Sequence, residues 1–327
     1  MKERVFGRDG IRVSEVGLGT WQLGCDWGQV SDGGADRILA TALEHGTTFF
    51  DTADVYGPEV SERRLGRFFR GRSQDVFIAT KLGRLPHPGW PENFTLEAMR
   101  AHTEGSMRRL GVEALDLTQL HCIPPEVMAE GAVFDHLRTL REEGKILRFG
   151  ASVESMEEAL LCLEQESLYS LQIIFNIFRL KPADVLFEKA RAKGVALIIR
   201  LPLASGLLAG KFTPDTTFPE DDHRNYNRDG DAFNVGETFA GLPFSIGVAL
   251  ADRLKPLVPE GMSMAQMAMR WTLDFDAVGV VIPGATRPEQ AVSNAAASDL
   301  PPLGDELHGK LREIYQEEVA QHIRGVY

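Results

Sequence analysis

Four residues of this 327-residue chain carry side chains that together permit acid–base chemistry: Asp51, Tyr56, Lys81 and His121. Asp51 ends the run Thr48-Phe49-Phe50, whose β-branched and aromatic residues read as a buried strand. Tyr56 follows in a loop that Gly57-Pro58 closes. Lys81 stands at the end of Val76-Phe77-Ile78-Ala79-Thr80, and His121 at the end of Leu115-Asp116-Leu117-Thr118-Gln119-Leu120. Neighbouring parallel strands lie about 4.8 Å apart, so three successive strand ends bring the four side chains to one rim. A phenol ordinarily loses its proton at about pH 10. An ammonium beside it favours the phenolate, and a carboxylate keeps that ammonium charged, which predicts a tyrosine usable as a general acid near neutrality. A histidine in the same place donates a hydrogen bond to a carbonyl oxygen and stabilises charge developing there. Taken singly, each residue has an ordinary structural reading: Asp51 a loop cap, Lys81 a surface charge, His121 a core imidazole. A lysine at such a rim also admits a Schiff-base nucleophile. The coincidence of all four at adjacent strand ends favours a shared site.

The elements that must position them alternate along the whole chain. Arg8-Asp9-Gly10 lies between two β-prone runs and predicts a hairpin, placed to plug the bottom of a barrel. Val16-Gly17-Leu18-Gly19 reads as a first strand and 35–45 as a first helix. After the strands ending at Asp51, Lys81 and His121 come a fifth over 146–149 with Gly150-Ala151-Ser152 at its end, a sixth over 171–176, a seventh over 195–199 and an eighth over 278–282. Helices are expected over 96–110 and 134–143, each stopped by a glycine, from the capped start at Ser155, from Pro182 to Gly194, and from Pro288. Strands rich in Val, Ile and Leu without polar alternation are buried on both faces, as parallel strands are. Eight strand–helix units predict one (β/α)8 barrel of the TIM type across 1–327, whose chemistry belongs at the strand C-termini. The irregular insert 212–239, after the seventh strand, is rich in Asp, Asn, Arg and Gly, and it is expected to lie over the active face as a loop without structure of its own.

Asp51-Thr52-Ala53 with Tyr56-Gly57, then Ala79-Thr80-Lys81, then Leu120-His121 resemble the signature set of the aldo-keto reductase family. The likeness runs from Gly17-Leu18-Gly19-Thr20 to the segment around Asn294. It implies that Tyr56 is the proton donor, that Lys81 lowers its pKa, that Asp51 pairs with Lys81 and that His121 orients a substrate carbonyl. The hydride would come from a nicotinamide, because no side chain supplies one. By the same resemblance Ser152 and Gln172 hold the carboxamide, and Asn176 matches the pattern of the sixth strand. Val153 replaces an asparagine usual in the family, and Arg200 replaces an aromatic that stacks on the nicotinamide. A guanidinium plane can stack on a ring, but a cation against the oxidised nicotinamide is electrostatically poor, so Arg200 has a second reading as partner to a substrate carboxylate or to an acid in the insert. Leu203 to Lys211 would cover the pyrophosphate. Gly284 leads into a helix N-terminus after the eighth strand, which is a phosphate site by geometry. There Arg287 is the candidate for the 2′-phosphate, Gln290 stands where many members have a second arginine, and Asn294 matches the adenine contact. The expectation is NADPH rather than NADH, and an aldehyde or activated ketone as substrate. The alternative is a nucleotide-sensing regulatory subunit with little turnover, as the potassium-channel β-subunits of the family are.

Composition narrows the rest. With 35 basic and 47 acidic residues the formal charge is −12, which argues against a nucleic-acid or anionic-membrane surface. No apolar run approaches the roughly 18 residues that span a bilayer, and Met1-Lys2-Glu3-Arg4 is too charged for a secretory signal. Cys25, Cys122 and Cys162 are few and widely spaced, which suits free thiols in the cytoplasm. Gly206-Leu207-Leu208-Ala209-Gly210-Lys211 lacks the spacing and the following hydroxyl of a P-loop, and Gln22 occupies the third glycine position of a dinucleotide fingerprint. Glu220-Asp221-Asp222 reads as a solvated acidic loop, and His121-Cys122 lacks partners for zinc, so no metal is expected. Trp21, Trp27 and Trp90 are candidates to line an apolar substrate pocket.

Overall fold

The computed structural model describes residues 1–24 and 27–327. Strands β1 (Glu3–Phe6) and β2 (Ile11–Ser14) form the expected antiparallel hairpin, with Phe6 opposite Ile11. Phe6 is fully buried and meets Phe49 and Phe77 edge-on, with ring centroids 5.2 and 5.3 Å away. The Tyr169 hydroxyl donates to the Phe6 carbonyl at 2.6 Å. The hairpin therefore seals the end where the barrel strands begin, opposite the end where Asp51 and Lys81 stand.

Eight parallel strands follow in sequential order: β3 (Leu18–Gly19), β4 (Phe49–Asp51), β5 (Phe77–Leu82), β6 (Leu117–His121), β7 (Phe149–Ser152), β8 (Ser170–Ile174), β9 (Ala196–Arg200) and β10 (Val278–Val281). Every residue in them is buried, as parallel strands between helices require. The sheet closes through parallel bridges Val16 to Val281 and Gly19 to Gly284. That seam needs glycine, because a Cβ on Gly19 would lie 2.8 Å from the Ile282 carbonyl oxygen. Register then places Lys81 beside Gln119, His121 beside Ser152, and Ser152 beside Gln172.

Several boundaries differ from those expected from the sequence. The fifth barrel strand is Phe149–Ser152, and Ile146 makes only an isolated bridge with Leu115. The helix expected over 134–143 is Ala132–Glu142, preceded by a separate short helix Pro125–Glu130. The one expected from Pro182 is two pieces, Lys181–Val185 and Phe187–Ala192. Helices Phe244–Leu254, Met264–Leu273 and Asp305–Ile314 come in addition to those expected. Met264–Leu273 carries a readable start, since the Ser263 hydroxyl accepts from the Gln266 N–H and the Gln266 side chain accepts from the Ser263 N–H.

The insert is the main correction. It carries a helical turn His223–Tyr226 and two 3-10 turns, Val235–Glu237 and Phe239–Gly241. Its backbone is satisfied by its own side chains: Asn227 Oδ1 accepts from the N–H groups of Ala232 and Phe233, and Asp222 Oδ1 from that of Arg224. Asp222, expected in a solvated cluster, is instead a buried cap ion-paired with Arg224, while Glu220 and Asp221 are exposed. Phe212, Phe218 and Phe239 of the insert pack with one another and with Phe244 just after it. Cys122 and Cys162 are buried free thiols, and Cys25 lies outside the described residues. Among the described residues no helix is long and apolar enough to cross a membrane.

Candidate active site

Asp51, Lys81 and His121 are brought to one rim by their strands, and Tyr56 is bent back over them by its loop. Gly57 makes that bend possible. Its φ is +61°, and a Cβ there would fall 1.9 Å from the Gly24 carbonyl oxygen. Lys81 Nζ uses all three of its protons: it donates to Asp51 Oδ1 at 2.5 Å, to the Thr52 carbonyl at 2.8 Å and to the Tyr56 hydroxyl at 3.1 Å. The second Asp51 oxygen accepts from Gln172 Nε2 at 2.7 Å. The Tyr56 ring stacks on Trp21 and stands edge-on to His121, with centroids 5.9 and 5.7 Å away. Lys81 and Asp51 are almost wholly buried, so the pair is shielded from water.

Burial dominates the protonation states. It opposes the charge on Lys81, but Asp51 and then Tyr56 outweigh it and raise the lysine pKa. For Tyr56 burial wins outright, pushing the phenol up to about 12 against the pull of Lys81. This differs from the lowered value expected from the sequence, where the ammonium was visible but the desolvation was not. Burial, aided by the charges of Lys81, Arg84 and Arg200, holds the His121 imidazole well below its usual range, so it is neutral. A protonated phenol and a neutral imidazole thus face one cleft over a fixed ammonium.

The cleft holds about 260 Å³ and runs from Trp21, Trp27, Tyr56 and His121, past Ser152, Gln172 and Arg200, to Gly284 and Gln290. Trp90 is half exposed, outside that lining, so two of the three candidate tryptophans line the cleft. Arg200 is the last residue of β9 and is engaged from several sides. It pairs with Glu237 of the insert at 3.3 Å, donates to the Val153 carbonyl at 3.1 Å, and approaches Cys122 Sγ at 3.6 Å. The second reading of Arg200, as partner to an acid of the insert, is the geometry found. Burial works against the Glu237 carboxylate, but Arg200, Arg84 and His223 hold its pKa low. Burial and Glu237 push the neighbouring Glu154 carboxyl up. Cys122, Glu154 and Glu237 form a potential three-donor metal group among the described residues. The Arg200 guanidinium lies against two of those three donors, and burial pushes the Cys122 thiol up to about 12, so the cluster is an ion-paired arginine site rather than a ready thiolate ligand set.

The residues picked out for a dinucleotide divide into groups. Ser152, Gln172, Arg200, Leu203, Gly284 and Gln290 all line the cleft. The Gln172 N–H faces Asp51, because the second Asp51 oxygen is buried and needs a donor. Gln290 Oε1 caps the helix Pro288–Ala296 by accepting from the N–H groups of Thr286 and Arg287. Asn294 lies under Gly284, donating to its carbonyl at 3.3 Å. Arg287 and Lys211 are exposed and outside the cleft lining. Two features fit an elongated cofactor. Ala204, Ser205 and Gly206 in succession have φ of +48°, +55° and +101° after Leu203 at −103°, a tight turn that puts Leu203, Ser205 and Gly206 on the cleft wall while the Ala204 and Gly206 N–H groups donate to the Leu201 and Leu203 carbonyls. Arg200 Nε is buried without a partner beside it. Sequence reasoning reached Ser205 only as part of the 203–211 stretch, and it missed Gln22, Arg224 and Glu237 as lining residues. Only the position of the insert pointed toward the last two.

The family model described as Aldo/keto reductase family matches residues 15–316. Among curated proteins, Aldo-keto reductase YhdN of Bacillus subtilis is 29% identical over 291 residues, covering 86% of this chain and 84% of that one. A probable voltage-gated potassium channel subunit beta of Oryza sativa subsp. japonica is 29% identical, covering 97% of this chain and 98% of its own. Among solved structures, the glycerol dehydrogenase AKR11B4 from Gluconobacter oxydans superposes with a TM-score of 0.79 at 28% identity, covering 99% of this chain and 98% of that one.

Proposed function

The chain belongs to the aldo/keto reductase family of NAD(P)H-dependent oxidoreductases, and from that premise we propose that it reduces an aldehyde or activated ketone to an alcohol, with NADPH as cofactor and Tyr56 as general acid. The observation that carries this reading is the three-way contact of the buried Lys81 ammonium with Asp51, Thr52 and Tyr56. Neutral His121 donates to the carbonyl oxygen and fixes it beside Tyr56. The Tyr56 hydroxyl passes its proton to that oxygen as negative charge builds there, and the alkoxide, far more basic than a phenolate, takes it readily. Lys81 stabilises the phenolate left behind, and Asp51 keeps Lys81 charged in a site that would otherwise neutralise it. A phenol held at about 12 is fully protonated in the ligand-free site, so the proton is in place before substrate arrives. The Trp21 ring stacked on Tyr56 covers one face of the phenol and holds its plane.

A nicotinamide bound along the cleft supplies the hydride. Ser152, Gln172 and Arg200 would hold its ring end, the 203–206 turn its pyrophosphate, and Arg287 at the N-terminus of Pro288–Ala296 a 2′-phosphate. Arg287 supports NADPH over NADH. The test is loss of NADPH absorbance with an aromatic aldehyde, repeated with NADH and with Tyr56→Phe. Turnover by the wild type, faster with NADPH and abolished in Tyr56→Phe while cofactor fluorescence still reports binding, supports the reading. An undiminished rate in Tyr56→Phe refutes the role of Tyr56. The second reading, a nucleotide sensor, draws on Val153 and on Arg200 pinned by Glu237 at the nicotinamide end. Tight NADPH binding with negligible turnover on any carbonyl would favour it.

A further inference from the structure

We propose that Arg324 and Arg179 are positioning residues of the site: with the segment 323–327 they hold Glu237 of the insert in place, and through Glu237 they set the charge that Arg200 presents at the nicotinamide end of the cleft. The effect on the nicotinamide rests on the reductase reading. The hold on the insert does not.

Glu237 lines the cleft and pairs with Arg200 at 3.3 Å. On the cleft side its backbone is tied to the barrel by Ser205, whose hydroxyl donates to the Glu237 carbonyl and accepts from the Phe239 N–H, both at 3.1 Å. On the other side the insert rests on Arg179. That residue is 1% exposed, makes no ion pair among the described residues and leaves Nη1 buried without a partner. A Cβ on Gly236 would lie 2.1 Å from Nη1, so the guanidinium presses directly on the backbone next to Glu237. A buried charge without an anion is costly unless other groups serve it. The segment 323–327 does so here. The Val326 carbonyl accepts from Nη2 at 2.7 Å, and the centroid of the Tyr327 ring lies 4.4 Å from Cζ. Tyr327 is fixed in turn, its hydroxyl accepting from the Lys181 N–H at 2.9 Å and meeting the Tyr315 hydroxyl at 2.7 Å.

Arg324 completes the clamp. Its guanidinium donates to the carbonyls of Gly241 and Arg228, each at 3.0 Å, and to Asp229 Oδ1 at 2.7 Å, while its own N–H donates to the Gly241 carbonyl at 3.1 Å. These bonds join residues 228 and 241 across the turns Val235–Glu237 and Phe239–Gly241, so they close the part of the insert that carries Glu237. None of residues 323–327 is among the described residues that line the cleft, so the segment acts on the site through the insert. Without the clamp Glu237 loses its place, and Arg200 is left as an uncompensated cation on the cleft wall. Such a cation repels the positive charge of an oxidised nicotinamide and leaves the neutral reduced ring nearly unaffected.

The test uses the full chain as Arg324→Ala, Glu237→Gln and the double variant. In ligand-free Arg324→Ala, hydrogen exchange of the amides in 227–241 should quicken by about tenfold or more, with the barrel strands unchanged. Fluorescence titration with NADPH and with NADP+ reads the second link. Arg324→Ala should raise the ratio of the NADP+ to the NADPH dissociation constant by about fivefold, and Glu237→Gln by at least as much. The double variant should go no further than Glu237→Gln alone, because both changes act through one pair. Arg179→Met should move exchange and ratio in the same direction as Arg324→Ala. Unchanged exchange in the insert of Arg324→Ala overturns the proposal, and so does an unchanged ratio, or a ratio to which the two substitutions contribute additively. Failure to bind either nucleotide counts against the reductase reading and takes the second link with it, while the exchange result still decides the first.

Discussion

Replacing Asp51 with asparagine isolates the electrostatics of the site. The substitution keeps the shape of the side chain and leaves an amide oxygen for Lys81, but it removes the charge that Lys81 Nζ meets at 2.5 Å. The side chains of Lys81 and Asp51 are only 1% and 3% exposed, so the uncompensated ammonium is left in a low-dielectric interior. Breaking a buried pair from one side costs about 3–5 kcal/mol. Gln172 softens this slightly, since its own amide can turn to present its oxygen to the introduced NH2 group, where its N–H met Asp51 Oδ2 before. The pH dependence carries the sharper signature. In the wild type the folded lysine pKa is raised above 10.5, so its contribution is fully present below that value and is lost as pH rises through the folded pKa. In Asp51→Asn burial is no longer outweighed, the folded pKa drops below the unfolded one, and the native state sheds its proton first. Stability of the variant should therefore rise from neutral pH toward about pH 10, where the wild type is flat. Chemical denaturation at a series of pH values measures both effects. A loss below about 1 kcal/mol at pH 7, with the same pH slope as the wild type, would refute the account of a buried pair held together by charge.

Three further outcomes follow from particular contacts. Tyr56→Phe should lower kcat by about 10²–10⁴-fold or more in an absorbance assay, since it removes a general acid, with a much smaller change in cofactor affinity by fluorescence titration. Gly57→Ala forces a Cβ to within 1.9 Å of the Gly24 carbonyl oxygen at a φ of +61°, so a loss of more than about 2 kcal/mol is expected in denaturant unfolding, with turnover falling because Tyr56 is displaced. Burial depresses the His223 imidazole from 6.5 to about 4, so its contribution to stability is present above pH 6.5 and is lost as pH falls toward 4, a total of about 3 kcal/mol. His223→Phe keeps a ring against Trp21 and Trp27, and should flatten the acid limb of a stability–pH curve between those values.

The identity of Asp51, Tyr56, Lys81 and His121 is readable because each stands at a fixed offset from a strand whose β-branched and aromatic run marks its own end. The parallel order is readable for the same reason, since runs buried on both faces leave no polar alternation. The helices 244–254 and 264–273 are hard to read because they follow an insert whose composition looks like loop, although Ser263 and Gln266 announce the second. Local pattern says nothing about who meets whom across the barrel mouth. Arg200 and Glu237 are distant in sequence and join only because the insert folds back over β9. Gln172 reaches Asp51 only because strands four apart in the barrel, β4 and β8, point their ends into one interior. The protonation of Tyr56 is likewise beyond the sequence. Its ammonium neighbour lies on the next strand and can be inferred, but the burial that pushes the phenol to about 12 is a property of everything packed around it. Which groups stand at the rim is written in short stretches of chain, because strand ends are local. Their charges and partners come from the assembled barrel, because desolvation and pairing depend on what the rest of the chain excludes from the site.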